Sequence, residues 1–292
     1  MIKKWEQMIM EAQAPECGSM EELFVLWQLM QQMESPDNGD ICYPEIDART
    51  FYIDGMLSAE NYQRVVYLLR EPDARGMIQN GSLFPAIVDA RRMIRERGAA
   101  FEPDLKHILG MQRILNEGNG QGECGLTDAE LLSQCAVVYV NKRGGKGVGD
   151  GLHYRYGLFY IEFLRRQLIL LKPRLLVCCG EDVFKLAVKE VGASKRTIRN
   201  RGERAVWKHV VDQWKCRTDE SLRPVREGER HAATVLHMWN PSYRVNGDTY
   251  VSLDEYLKEF RRRLEFQRRL DGDAGNPPDG SKGTASRSVF PG

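Results

Sequence analysis

Glu71 is the first residue of the chain whose type and position suggest chemistry. It stands two residues after the apolar run Val65-Val66-Tyr67-Leu68-Leu69 and is followed by Pro72. A carboxylate held directly after a buried strand can act as a general base or stabilise a developing cation. A solvated loop glutamate is the ordinary alternative on position alone. The interpretation therefore depends on the residues that accompany Glu71.

A second segment, 141–147, reads Asn-Lys-Arg-Gly-Gly-Lys-Gly. Glycines let a backbone approach phosphate closely, and Lys142, Arg143 and Lys146 add positive charge. Asn141 offers one acceptor and two donors, enough to bind the amide edge of a nucleobase. The segment lacks the Walker pattern, and no G-x-G-x-x-G motif follows a strand, so nucleotide-dependent chemistry loses its main support.

A third segment, 239–247, contains the turn Asn240-Pro241-Ser242, with Tyr243 and Arg244 directly after it. Such a turn is common in ordinary loops and says little by itself. Its interpretation depends on whether it lies beside Glu71 and the glycine-rich segment.

Further cations and two histidines surround these segments. The basic cluster at 195–204 includes Arg199 and Arg201 and suits contact with a phosphate backbone, although a solvated charged surface is the usual explanation. His153 follows the glycine-rich segment and could approach a pocket there. His237 lies within an apolar run and is expected to be a core residue rather than a catalyst.

Four short, continuous apolar runs predict the strands that must position these segments. They lie at 65–69, 136–140, 175–179 and 234–238. Helical patterns lie between them, at 83–97, 156–171 and 181–191. The order β-α-β-α-β-α-β predicts an α/β fold with a parallel sheet and helices on both faces. Reactive loops in such a sheet lie beyond the carboxyl ends of its strands.

The two ends of the chain have patterns of their own. Ser19 is a predicted N-cap for a helix over 20–33, and Ser252 and Glu255 form a capping box for a last helix. After residue 269 the chain is rich in Gly, Pro, Ser and Asp. We predict an N-terminal helical extension packed on the core at 1–60, an α/β domain at 61–268 and a disordered tail at 269–292.

Composition limits the class of protein. The 292 residues carry 42 basic and 41 acidic side chains, so an anionic partner must bind a local patch rather than a basic surface. The seven cysteines include no C-x-x-C pair, which disfavours a disulfide framework or a close-spaced zinc site. The N-terminus lacks a secretory signal, and no apolar run approaches the roughly 18 residues of a membrane span. We expect a cytoplasmic protein with no membrane partner.

The three segments together resemble the uracil-DNA glycosylase superfamily. Its first motif follows the first strand as G-x-[DN]-P or a near variant, and its last is H-P-S or N-P-S after the final core strand. Leu69-Arg70-Glu71-Pro72 and Asn240-Pro241-Ser242 occupy those places, and Lys172-Pro173-Arg174 is similar to the family's K-P strand lead-in.

The most similar subgroup is the single-strand-selective monofunctional glycosylases, the SMUG-like branch. Their first motif runs G-M-N-P-G-P-F-G-M-A-Q-T-G-V-P-F-G. Aligned without a gap, six residues of this chain match it: Pro72, Gly76, Met77, Gln79, Gly81 and Phe84. The resemblance covers roughly residues 65–264 and leaves the N-terminal sixty residues outside it.

The resemblance implies a three-layer αβα fold with a central, mainly parallel four-stranded sheet. It implies an enzyme that flips a damaged or modified pyrimidine out of DNA and hydrolyses its N-glycosidic bond without a cofactor or metal. Glu71 would activate water and stabilise the sugar cation, and Asn240 would stabilise the leaving base. Met77, Phe84 and Asn141 would bind the base. The implied DNA-binding residues are Lys142, Arg143, Lys146, Arg199, Arg201, Ser242, Tyr243 and Arg244.

Three departures leave alternatives open. Leu69 replaces the family glycine, Glu71 replaces the subgroup's Asn, and Asn240 stands where many members have His. The base could be uracil, a 5-hydroxymethyl-type pyrimidine or a bulkier phage-type cytosine, with a role in base-excision repair or anti-phage defence. The alternatives are a non-catalytic DNA-binding module on the same fold and, more weakly, a Rossmann-like enzyme on small nucleotides. We expect a monomer that binds single-stranded DNA or duplex with a flipped base.

Overall fold

The structure is a computed structural model that describes most of the segments named above. The described residues are 13–33, 43, 46–47, 49–72, 87–102, 104–118, 125–145, 151–187, 206–209, 233–242, 244–245 and 249–275. At 206–209, 244–245, 249–250 and 266–275 only the backbone is described.

A six-stranded sheet forms the centre of the molecule. Its strands are β2 (Gly55–Met56), β3 (Val65–Leu69), β5 (Cys135–Tyr139), β6 (Leu175–Cys179), β7 (Val206–His209) and β8 (Ala233–Met238). The spatial order is β2-β5-β3-β6-β8-β7. The four middle strands are parallel, and the two edge strands are antiparallel to their neighbours. The predicted parallel core is confirmed, but the sheet has six strands rather than four.

Two small pairs of strands lie outside this sheet. In chain order they are β1 (Phe51–Ile53) with β4 (Ile87–Asp89), which are parallel, and β9 (Arg244–Val245) with β10 (Thr249–Tyr250), which are antiparallel. Strand β2 belongs to the main sheet although it precedes residue 61. The segment predicted as a helical extension therefore contributes strands as well as a helix.

Helices cover both faces of the sheet. They are α1 (Met20–Met33), α2 (Ala90–Arg97), α3 (Leu105–Gly118), α4 (Asp128–Ser133), α5 (Leu152–Phe159), α6 (Ile161–Leu171), α7 (Glu181–Lys185) and α8 (Leu253–Gly275). Side chains alternate along β3, so Val66 and Leu68 pack with α1, α5 and α6, whereas Tyr67 packs with α3, α4 and α8. This arrangement is compatible with the predicted three-layer αβα fold.

Helix α1 begins at the predicted cap. Glu22 N donates to Ser19 Oγ at 3.2 Å, and Ser19 N donates back to Glu22 Oε2 at 3.3 Å, a reciprocal capping box. Leu23, Trp27 and Met30 recur at helical spacing and are fully buried. Their apolar face packs the N-terminal helix onto the core.

Three helices differ from the sequence prediction. Within the described part of the pattern at 83–97, residues 87–89 form β4 and the helix begins at Ala90, where the Asp89 carboxylate accepts from Arg92 N at 3.1 Å. The pattern at 156–171 is two helices, because Tyr160 leaves the helical region at φ −102°, ψ 31°. Helix α8 extends to Gly275, past residue 269 where the tail was predicted to begin. Residues 276–292 of that tail and residues 188–191 of the third predicted helix lie outside the described residues.

The carboxyl ends of the four parallel strands share one edge of the sheet. Leu69 pairs with Tyr139, and Cys178 pairs with both Leu68 and His237. The chain goes from β3 to β5 on one side and then crosses back to β6 on the other, so the winding direction changes between β3 and β6. A crevice for ligands is expected at such a switch point.

Within the described part of the chain, no helix combines the length and the apolar character that a membrane crossing requires.

Candidate functional site

The carboxylate of Glu71 lies between the loops that follow β3 and β5. Asn141 Nδ2 donates to Glu71 Oε2 at 3.0 Å. A Cβ atom at Gly145 would lie 1.8 Å from the Glu71 carboxyl carbon, so only glycine admits the carboxylate there. Gly145 N also donates to Pro72 O at 3.0 Å and ties the two loops together. Glu71 is thus held in place while its side chain stays partly exposed.

Asn141 positions Glu71 rather than presenting its own amide to a ligand. Its side chain is fully buried, and Nδ2 also donates to Gly144 O at 3.1 Å. Its Oδ1 accepts from Arg143 N at 3.0 Å. Because both amide hydrogens and the amide oxygen of Asn141 are bonded within the two loops, its amide is not open to a base edge as predicted and instead holds the Glu71 carboxylate.

Lys142 and Arg143 were predicted to contact phosphate, and this prediction is wrong for the structure described. Lys142 Nζ is fully buried, 2.6 Å from Asp54 Oδ2. The Arg143 guanidinium is also buried and donates to Ile46 O. Burial lowers the pKa of Lys142, and the Asp54 carboxylate opposes that shift. A buried cation is stable only when paired, so these two charges face protein partners instead of solvent.

A second group of ionisable side chains lies at the switch point between β3 and β6. Arg70 Nη2 is 3.9 Å from Asp182 Oδ2, and His153 Nε2 is 3.8 Å from the same oxygen. A Cβ at Gly180 would lie 3.3 Å from Arg70 Nε, so the guanidinium packs close to the first turn after β6. His153 is buried and approaches this edge, as the sequence suggested it could.

The loop after β8 is more open. Asn240 is partly exposed and Ser242 is exposed. Within the residues that the structure describes, the Asn240 side chain makes no hydrogen bond. The preceding Trp239 is fixed, because its carbonyl accepts from Tyr256 Oη at 2.8 Å and its ring lies 5.6 Å from the Arg263 guanidinium. The loop that carries the partly exposed Asn240 is therefore anchored at Trp239.

His237 lies in β8 but is only partly buried, with 15% of its side chain exposed, whereas the sequence predicted a core residue. Its ring stacks on Phe184 with centroids 4.9 Å apart. Burial, reinforced by Arg263 and opposed by Glu181, lowers the pKa of His237 to about 4.

Several predicted site residues cannot be placed. Met77, Phe84, Lys146, Arg199, Arg201 and Tyr243 lie outside the described residues. Arg244 is described only as backbone, in β9.

The order of the strands fixes the width of the site. Strand β6 separates β3 from β8, so two interstrand spacings, roughly 10 Å, lie between the strand that leads to Glu71 and the strand that leads to Asn240. A ligand at this edge would have the carboxylate on one side and the free amide on the other. Among the described residues, no group of three or more His, Cys, Asp or Glu side chains is arranged to hold a metal ion.

Sequence reasoning missed Asp54, Arg70 and Asp182. Asp54 follows the apolar residues Phe51-Tyr52-Ile53, and this acid after a buried strand is the signal that could have drawn attention to it. Arg70 lay unused inside the first motif, and Asp182 lay inside a predicted helix.

Comparisons of the chain with protein-family models, with curated proteins and with solved structures gave no match. The family resemblance therefore rests on the sequence motifs.

Proposed function

We propose that this protein is a monofunctional DNA glycosylase that flips out a damaged or modified pyrimidine nucleotide and hydrolyses its N-glycosidic bond. The observation that supports this best is the Glu71 carboxylate, held by Asn141 at 3.0 Å at the carboxyl edge of a central parallel strand. Glu71 also occupies the polar position of the first motif that resembles the glycosylase superfamily.

The reaction breaks the bond between the sugar C1′ and the base nitrogen, and the bonding electron pair leaves with the base. Positive charge develops on the sugar, as in glycoside hydrolysis. Glu71 stabilises that charge and accepts a proton from the water whose oxygen bonds to C1′. The Asn240 amide donates to the departing base, where negative charge accumulates, and the base takes up a proton to leave as the free base.

The buried state of Lys142 supports a monofunctional reaction. A glycosylase that also cuts the strand needs an uncharged amine to attack C1′. Lys142 Nζ is instead buried and bonded to both Asp54 Oδ2 and Tyr139 O at 2.6 Å. This burial supports an abasic site in an intact strand as the product.

The candidate substrates are uracil, a 5-hydroxymethyl-type pyrimidine and a bulkier phage-type cytosine. The corresponding roles are base-excision repair and anti-phage defence. Since Lys142 and Arg143 face inward, contact with phosphate falls to the other predicted DNA-binding residues. These are Lys146, Arg199, Arg201, Ser242, Tyr243 and Arg244.

The test is a mass-spectrometric screen for free bases released from DNA containing uracil, from DNA containing 5-hydroxymethyluracil, and from naturally hypermodified phage DNA. We expect release of one class by the wild-type protein and none by Glu71→Gln. An alkali-labile site without spontaneous strand cleavage identifies the monofunctional product. DNA binding without base release from any substrate would instead favour the non-catalytic DNA-binding module.

A further inference from the structure

The segment before residue 57, which lies outside the glycosylase resemblance, holds the loop that carries Asn141. Asp54 is fully buried at the end of β1. Its Oδ2 accepts from Lys142 Nζ and from Tyr139 N, both at 2.6 Å, and its Oδ1 accepts from Gln167 Nε2 at 2.7 Å. One carboxylate thus connects β1, the end of β5 and helix α6.

Lys142 is fixed from several sides. Its ammonium donates to Tyr139 O at 2.6 Å and lies 5.0 Å from the ring centroid of Trp27 on α1. Its backbone carbonyl accepts from Tyr52 N at 2.8 Å. Both the side chain and the backbone of Lys142 are therefore held by the N-terminal segment.

The next residue is held in the same way. The Arg143 guanidinium donates to Ile46 O, and Arg143 N donates to Asn141 Oδ1 at 3.0 Å. Asn141 in turn donates to Glu71. A continuous series of contacts leads from the N-terminal segment through Lys142 and Arg143 to the candidate catalytic carboxylate.

Stability alone does not account for the Asp54–Lys142 pair. Desolvating two charges offsets most of their attraction, and apolar residues of similar size often replace a buried ion pair without loss of stability. What such a pair can supply instead is a single geometry, because a buried charge that loses its partner is costly. The geometry fixed here is that of the loop beside Glu71.

We propose that Asp54 and Lys142 are positioning residues, which hold Asn141 where it orients Glu71, so that the N-terminal segment completes the site. The expected change in the rate of base release rests on the proposed function. The expected change in the order of the loop at 140–145 does not. A ligand-independent measurement of loop order can therefore be made beside the kinetic one.

The experiment compares the full-length double variant Asp54→Leu/Lys142→Met, which removes both charges, with Glu162→Leu/Arg165→Met. The second pair is the matched control, since it is also a buried ion pair but joins two residues of one helix, α6, rather than the loop to the N-terminal segment. Single-turnover base release is measured across pH, and hydrogen–deuterium exchange is measured at 140–145.

For Asp54→Leu/Lys142→Met we expect at least a tenfold loss of rate and roughly tenfold faster exchange in the loop. The acid limb of the pH–rate profile moves to higher pH, because a carboxylate that loses a donor is protonated more easily. The control keeps the wild-type profile, a rate within about twofold and slow loop exchange. A general loss of stability would not move the acid limb.

Wild-type rate, profile and loop exchange in a folded Asp54→Leu/Lys142→Met protein would overturn the proposal. If that variant does not fold, Asp54→Asn/Lys142→Met gives the same test in milder form, because the asparagine oxygen still accepts from Tyr139 N and no unpaired charge is left buried. There we expect a loss of about threefold to tenfold, and unchanged kinetics and exchange would again overturn the proposal. If the wild-type protein releases no base from any substrate, the proposed function fails and loop exchange alone decides the positioning role.

Discussion

Two asparagines follow parallel strands at the same edge of the sheet, and their environments are opposite. Asn141 is fully buried, and its amide is bonded to Glu71, Gly144 and Arg143. Asn240 is partly exposed, and its amide has no hydrogen-bond partner among the described residues. The Asn141 amide therefore bonds within the protein, whereas the Asn240 amide faces solvent in part.

The site therefore has two unlike sides. The loops after β3 and β5 form a preorganised side, and the loop after β8 forms an open side. On the side of β3 and β5, the fold already orients the carboxylate, as the proposed reaction would require. On the side of β8, hydrogen-bonding capacity is left for a ligand. This division suits a reaction in which a fixed charge acts on the sugar while a free amide meets a variable base.

The largest expected effect comes from the preorganised side. Glu71→Gln keeps the size of the side chain and removes the charge, so single-turnover base release should fall by at least about a hundredfold while DNA affinity stays within a few fold. Glu181→Gln is the control, since Glu181 is an exposed carboxylate at the same edge. Turnover of Glu71→Gln close to wild type would remove this side from the chemistry.

The two asparagines can be compared directly. Asn141→Ala should reduce base release by roughly 1–3 kcal/mol of transition-state stabilisation and also destabilise the fold by about 1–3 kcal/mol, because buried partners lose their bonds. Asn240→Ala should reduce base release by a similar amount but leave the free energy of unfolding within about 0.5 kcal/mol. Urea unfolding and single-turnover kinetics measure both quantities. Equal effects of the two variants on stability would mean that the two sides are not different.

A substitution at Gly145 tests the close approach of the Glu71 carboxylate to the Gly145 backbone. A methyl group there would overlap the Glu71 carboxylate, so Gly145→Ala should displace that group and slow base release by roughly tenfold, a misplacement effect. Gly125→Ala is the matched control, because a Cβ at Gly125 has no neighbour within 4 Å. A normal rate for Gly145→Ala would show that the position of Glu71 is not critical.

The parallel core was predictable because its strands are buried on both faces. Strands β3 and β6 have the predicted bounds, because a short continuous apolar run is typical of a strand that is buried on both faces. Strand β2 was not predictable, because two residues including Gly55 make no pattern and pair only once β5 is beside them. The break at Tyr160 was hidden by aromatic residues that fit a continuous helix equally well.

The site was partly predictable for a related reason. Glu71 could be found from its place after a strand. The burial of Lys142 could not, because its partner Asp54 lies 88 residues away, and a cation beside glycines is typical of a phosphate site. The glycine at 145 serves a different purpose, admitting Glu71. Sequence shows residue types near a strand end but not which of them face each other.

The smallest expected effect concerns the open side, where His237 lies three residues before Asn240. Its folded pKa of about 4 lies below the value near 6.5 expected for an unfolded histidine. As pH falls below 6.5 the unfolded chain binds a proton at this residue and the native protein does not, so stability is lost with falling pH until about pH 4.

Between pH 8 and pH 6 the loss from His237 alone should be about 1 kcal/mol, measured as the difference in the free energy of urea unfolding. His237→Phe keeps a ring that can stack on Phe184 but does not titrate, so this variant should lose that part of the pH dependence. Because the His237 ring stacks on Phe184 and has no part in the proposed reaction, the rate of base release at pH 8 should stay within about twofold of wild type. An unchanged pH dependence in His237→Phe would assign the acid sensitivity to other groups. A large loss of rate at pH 8 would instead show that base release depends on the exact position of β8 as strongly as on that of Glu71. The contrast between the two sides would then disappear.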